Sequence, residues 1–180
     1  MFDEITTPIT YVIGFFTMFV AVVLIFSSKL DDNAQTYCND AIQEFVDQSR
    51  ASGYISPETY LQMMRKINNT GNLYDVQITH KSKTVQPYVD GSNNVVPGKY
   101  VNSYNAYYKD EILEILFPSG STGNEIYPLK NGDSLNVSIS LKEPTLGARI
   151  AYFFTRKNIN TIQASYTGYV GSTEENGIGG

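Results

Sequence analysis

One histidine, one cysteine and a few adjacent carboxylates are the groups in this 180-residue chain with acid–base, nucleophilic or metal-binding chemistry. His80 ends the stretch Tyr74-Asp75-Val76-Gln77-Ile78-Thr79-His80, where alternation puts it on one face with Val76 and Ile78. That pattern reads it as a strand-end or edge residue satisfied by solvent. A zinc site needs three or four clustered ligands, and one Cys with one His supplies no such spacing. Asp31-Asp32 and Asp110-Glu111 are neighbours on helical patterns, so each pair diverges by about 100° and forms no acid–base dyad. Ser119-Gly120-Ser121-Thr122-Gly123 lacks the lysine and the strand-to-helix context of a phosphate loop and reads as a surface turn. The expectation is a chain that is not an enzyme, with no catalytic residue, cofactor or metal.

The elements around these residues explain more than the residues do. Between Ile5 and Ser28 there is no charge, and Tyr11 to Phe26 (YVIGFFTMFVAVVLIF) is almost wholly apolar. A bilayer core roughly 30 Å thick takes about 20 apolar helical residues, which this run supplies. A cleaved secretory signal fits it poorly: the start is acidic (Asp3, Glu4), the run is long, and no Ala-x-Ala pattern follows Phe26. The apolar spacing continues beyond the charges. Leu30, Ala34, Tyr37, Ala41 and Phe45 recur every three or four residues, flanked by Cys38, Ile42 and Val46. One helix of about 44 residues, roughly 65 Å, is therefore predicted from Pro8, as a first-turn proline, to Ala51, with Gly53 as its left-handed cap. Cys38 would serve on its packing face as a small apolar residue, rather than in an intermolecular disulfide or as a reactive thiol.

Ser56-Pro57-Glu58 predicts a second, short helix whose apolar face is Tyr60, Leu61, Met64 and Ile67. Strands are expected at residues 74–81, 125–129, 134–141 and 162–170, and a short helix at 110–117. Residues 82–100, which hold Pro87, Gly91, Pro97 and Gly98, read as a long loop, and 100–108 as strand or loop. Residues 144–154 read as a buried short helix or loop. The fold class is α+β: a long N-terminal transmembrane and amphipathic α-helix packed on a C-terminal antiparallel β-sheet. Its segments are 1–29, the membrane half of the helix; 30–71, the helix continuation and second helix; 72–176, the β domain; and 177–180, a flexible tail.

Thirteen basic against eighteen acidic residues give no electrostatic footprint for nucleic acid. Fourteen tyrosines, no tryptophan and many Asn, Ser, Thr and Gly make a polar, weakly charged surface, as in exported and self-associating proteins. A charge-free N-terminal helix that runs on as an amphipathic arm into an antiparallel sheet resembles the type IV pilins and pseudopilins. The phrases TYCNDAIQEFVDQSRASGYISPETY, TGNLYDVQITHKSK, LKNGDSLNVSISLKEPTLG and ASYTGYVG are similar to those of uncharacterised single-span, tight-adherence-type pilus proteins of clostridia-type bacteria.

That resemblance implies a structural subunit of an extracellular pilus-like filament, held in the cytoplasmic membrane before assembly and finally at the cell surface. Its partners would be further copies of itself in a helical filament and the pilus or secretion machinery that assembles them. Met1 would be the first mature residue if a leader has been removed. Glu4 would pair with a neighbouring subunit's terminal amine, or else serve as an interfacial charge ending the span. Tyr11, Phe15, Phe19, Val22 and Phe26 would make helix–helix contacts, with Gly14 and Ala21 as small-residue contact points. The alternative is a single-pass anchored accessory or binding domain of a secretion, pilus or conjugation machine that does not polymerise.

Overall fold

The computed structural model describes residues 3–119, 125–156 and 162–171, with the side chains of the first helix described from Pro8 onward. Met1, the side chain of Glu4 and the 177–180 tail lie outside the described residues. Helix α1 (Asp3–Ser52) is one unbroken rod of 50 residues, about 75 Å long. Pro8 lies inside it instead of in its first turn. Proline there removes a single helical hydrogen bond, to the Glu4 carbonyl, close to an end where loss of one bond is least disruptive. At the other end the Gly53 N–H donates to the Ser49 carbonyl, with φ of +75°.

The chain then forms β1 (Tyr54–Ile55) and α2 (Pro57–Asn68). The Ser56 hydroxyl accepts from the Thr59 N–H at 3.2 Å, capping α2 as its sequence predicts. The buried face of α2 is Pro57, Tyr60, Met63 and Ile67; Leu61 is exposed and Met64 half-buried. Tyr60 and Ile67 lie on the buried face as expected, while Met63 and Pro57 stand there in place of Met64 and Leu61, because 60, 63 and 67 make the three-and-four spacing that meets α1.

β2 (Tyr74–Val89) and β3 (Val95–Tyr108) form a long hairpin, followed by α3 (Lys109–Leu116), β4 (Tyr127–Pro128), β5 (Ser134–Leu141), α4 (Leu146–Thr155) and β6 (Gln163–Tyr169). The main sheet is antiparallel in the order β3-β2-β5-β6, and β1 pairs with β4. Residues 82–100, expected as a loop, are mostly strand. Pro87 lies where β2 has outrun its pairing with β5, and Pro97 lies on the edge strand β3, so neither interrupts a doubly bonded ladder. The Asp90 carboxylate organises the tip by accepting from the Ser92 and Asn94 N–H groups.

The sheet's inner face, with Val76, Ile78, Leu135, Val137, Ile139 and Ala164, packs on Ala34, Cys38, Ala41, Ile42, Phe45 and Val46 of α1. Met63 and Ile67 of α2 and Ile112 and Leu116 of α3 complete one core. Leu30 and Tyr37, expected on this packing face, are 57% and 65% exposed. The sheet covers only the narrower stripe centred on Cys38 and Phe45.

The sheet comes close to the helix at Gly168 of β6, where an added Cβ would lie 2.6 Å from Val46 Cγ1 and 3.1 Å from Arg50 Cδ. Gly168→Val is expected to force α1 and β6 apart at a cost of about 1–3 kcal/mol. Thermal unfolding of the detergent-solubilised chain should show a lower midpoint; an unchanged midpoint would refute this contact.

Candidate membrane and assembly face

From Pro8 to Phe26 every described side chain of α1 is exposed except Val20, Val23 and Leu24, which are half-buried. The helix is long and apolar enough to cross a membrane, and no residue of its most apolar window is fully buried within the chain. Exposed Phe15, Phe16, Met18, Phe19, Val22, Ile25 and Phe26 make a broad apolar surface over about half of the helix. A monomer in water does not sustain such a surface, whereas lipid or other helices would cover it.

Among these residues, Tyr11, Phe15, Phe19, Val22 and Phe26 fall on one stripe by their spacing of four, four, three and four. The same spacing continues to Leu30 and Tyr37, both exposed. Gly14 and Ala21 are also bare, and nothing approaches the Cβ position of Gly14 within 4 Å. They lie roughly a third of a turn from the stripe, so they belong to a different face.

Beyond Phe26 the stripe enters a groove of about 880 Å3. Ala34 and Ala41 line it along α1 with Leu30 and Tyr37, Lys66 and Thr70 border it from the end of α2, and Leu146 and Gly147 from the start of α4. Lys66 also pairs with Glu44 of α1 across this border. The groove was not foreseen, because its walls come from segments more than a hundred residues apart. No family model, curated protein or solved structure matches this chain.

His80 departs from its expected role. It is 3% exposed and lies in β2 between Tyr107 of β3 and Leu135 of β5, so it is neither at an edge nor in solvent. Its Nε2 lies 2.8 Å from Asp133 Oδ2 and its Nδ1 2.8 Å from the Tyr127 hydroxyl. Asp133, 1% exposed, also accepts the Lys83 N–H at Oδ1 and the Lys130 N–H at Oδ2. With the carboxylate as acceptor, Nε2–H donates to it and Nδ1 accepts from the tyrosine O–H. Tyr107 stacks on the ring at 5.6 Å.

Burial would raise the Asp133 pKa, but the Lys130 and Lys83 amides and His80 outweigh it and hold the group below its ordinary value. Tyr127 is pushed up to about 12 by burial, then by the neighbouring Tyr107, Asp133 and Glu111. The three side chains join β2, β4 and the turn before β5 in a network closed to solvent. Its chemistry is that of a structural clasp.

Cys38 is fully buried, and burial raises its pKa despite an opposing contact with Tyr74. A protonated, enclosed thiol packs as a small apolar group, as its place on the helix predicts.

Proposed function

We propose that this chain is a pilin-like structural subunit: it is inserted in a membrane through the inner half of α1, then assembles into a filament through that helix. The observation that carries this reading is the exposed stripe from Tyr11 through Phe26, which continues beyond the charge-free run to Leu30 and Tyr37 in the groove. A lipid anchor accounts for the first part only, since about 20 residues cross a bilayer. Packing against α1 of other copies accounts for both parts.

The two parts contribute differently. Moving Phe15 or Phe19 from lipid to a helix bundle exchanges one apolar neighbour for another, so the gain there is packing and not hydrophobic transfer. Leu30 and Tyr37 lie beyond the run, where covering a large apolar side chain is worth about 1.5–3 kcal/mol. In such a bundle Glu4 would require a cationic partner, because an unpaired carboxylate in an apolar interior is strongly unfavourable. The terminal amine of a neighbouring copy would provide one.

The test is electron microscopy of material sheared from producing cells, with mass spectrometry of the N-terminus. Filaments containing this chain are the expected result, and a processed N-terminus would support pilin-type maturation. Recovery solely from the membrane fraction, with no polymer, would leave the anchored accessory domain in its place.

A further inference from the structure

Helix α4 is apolar on both sides. Ala151 is buried and Ile150 half-buried where it packs on α1, while Leu146, Tyr152, Phe153 and Phe154 are exposed, Phe153 by 68%.

Its register on α1 is fixed at two points. The Thr145 hydroxyl, the N-cap, donates to Asp31 Oδ2 at 2.9 Å. Two residues on, a Cβ added to Gly147 would lie 2.4 Å from Ser27 Cβ, so glycine is what lets the helices touch. Advancing along α4 therefore means retreating along α1. The half-buried Leu24, Val23 and Val20, three to seven residues before Ser27, continue the track. Ten residues of α4 span about 15 Å, close to the distance from Asp31 back to Val20.

The aromatic end of α4 is thus level with the last turns of the charge-free run. That run, Ile5 to Ser28, spans 24 residues, or about 36 Å, several ångströms more than a bilayer core. With its far end at Ile5, the hydrocarbon boundary falls near Leu24. Tyr152, Phe153 and Phe154 then lie at the boundary, where aromatic side chains are favoured. The charges fit this level. Arg149 turns back toward the start of α4, bonding Glu143 at 2.9 Å and the Pro144 carbonyl at 3.2 Å. Arg156, exposed at the end of α4, lies about one helical turn deeper than Leu24, from where its long side chain can extend toward the headgroups.

We propose that α4 is a membrane-interface helix that seats the globular domain on the same bilayer that α1 crosses, with Tyr152, Phe153 and Phe154 in the boundary between headgroups and acyl chains. Lipid is the occupant because these aromatics are continuous with the apolar surface of α1 and are held by α1 at the depth where that surface leaves the membrane. The proposal rests on α1 being a span.

The absence of tryptophan makes the test direct. The full chain carrying F153W, F16W or Y104W is reconstituted in phosphatidylcholine–phosphatidylglycerol vesicles, and emission is quenched with lipids brominated at chosen depths or with aqueous iodide. F153W should emit to the blue of Y104W and be quenched by shallow-brominated lipid roughly threefold more than Y104W. F16W should respond best to deep bromines. Iodide quenching of F153W equal to that of Y104W, with F16W still quenched by lipid, overturns the α4 proposal alone. Shielding of F153W from both quenchers assigns the face to a second copy and overturns it too. Iodide quenching of F16W overturns the span itself.

Discussion

Asp133→Ala is expected to lower the stability of the folded domain by about 3–5 kcal/mol, the range for breaking a buried, charge-assisted network by removing one partner. The carboxylate accepts from the Lys83 and Lys130 amides and from the His80 ring, and all three would be left without it in a site closed to water. His80→Ala should cost less, since Asp133 would keep both backbone donors. The pH dependence has a definite sign. Because the folded-state pKa of Asp133 is depressed, its contribution is fully present above the unfolded value near 3.8. It is lost as pH falls through the folded value, where the unfolded chain already binds the proton. Urea unfolding of the wild type in mild detergent should therefore weaken toward acid more steeply than that of D133A. A loss below about 1 kcal/mol at neutral pH would show that the network contributes little.

Leu30→Asp combined with Tyr37→Asp is expected to abolish polymer while leaving membrane insertion and the fold intact. Both side chains are exposed in the single chain, so the fold loses little. Each forfeits about 1.5–3 kcal/mol of burial in the assembled state, before the added cost of placing a charge there. Together that is at least 3–6 kcal/mol per contact, or about two to four orders of magnitude in association. The measurement is the ratio of chain in the sheared fraction to chain in the membrane fraction, with far-UV circular dichroism as the check on folding. An unchanged ratio would remove Leu30 and Tyr37 from the assembly surface and with them the observation on which the filament reading stands.

The rod and its sheet were legible in the sequence because both are written as periodicity. Absence of charge marked the inner half of α1, a three-and-four spacing carried it to Val46, and strict alternation gave β5 and the start of β2. Errors arose where pairing partners decide the outcome. Pro87, Gly91, Pro97 and Gly98 were read as loop punctuation, yet prolines are tolerated where a strand has one free edge, and only the sheet order shows which edges are free. His80 looked like a solvated residue because its partners lie 47 and 53 positions away. That the turn before β5 places Asp133 beneath His80 follows from the β2–β5 register, which periodicity leaves open. Likewise residues 144–154 showed an apolar stretch, but not that it lies against Ser27 of α1.

The unbroken course of α1 from Asp3 to Ser52 has a mechanical meaning. A pull on the domain directed along that axis reaches the inner half through a continuous ladder of helical hydrogen bonds, with no hinge between them to absorb the displacement. The sheet grips its end of the rod side-on, through Ala34, Cys38, Ala41, Ile42, Phe45 and Val46. Axial load is therefore borne in shear: these contacts must slip together, and they do not peel one by one. Sideways load has no such protection, so the joint is strongest in the direction along which a subunit anchored by this helix would be drawn.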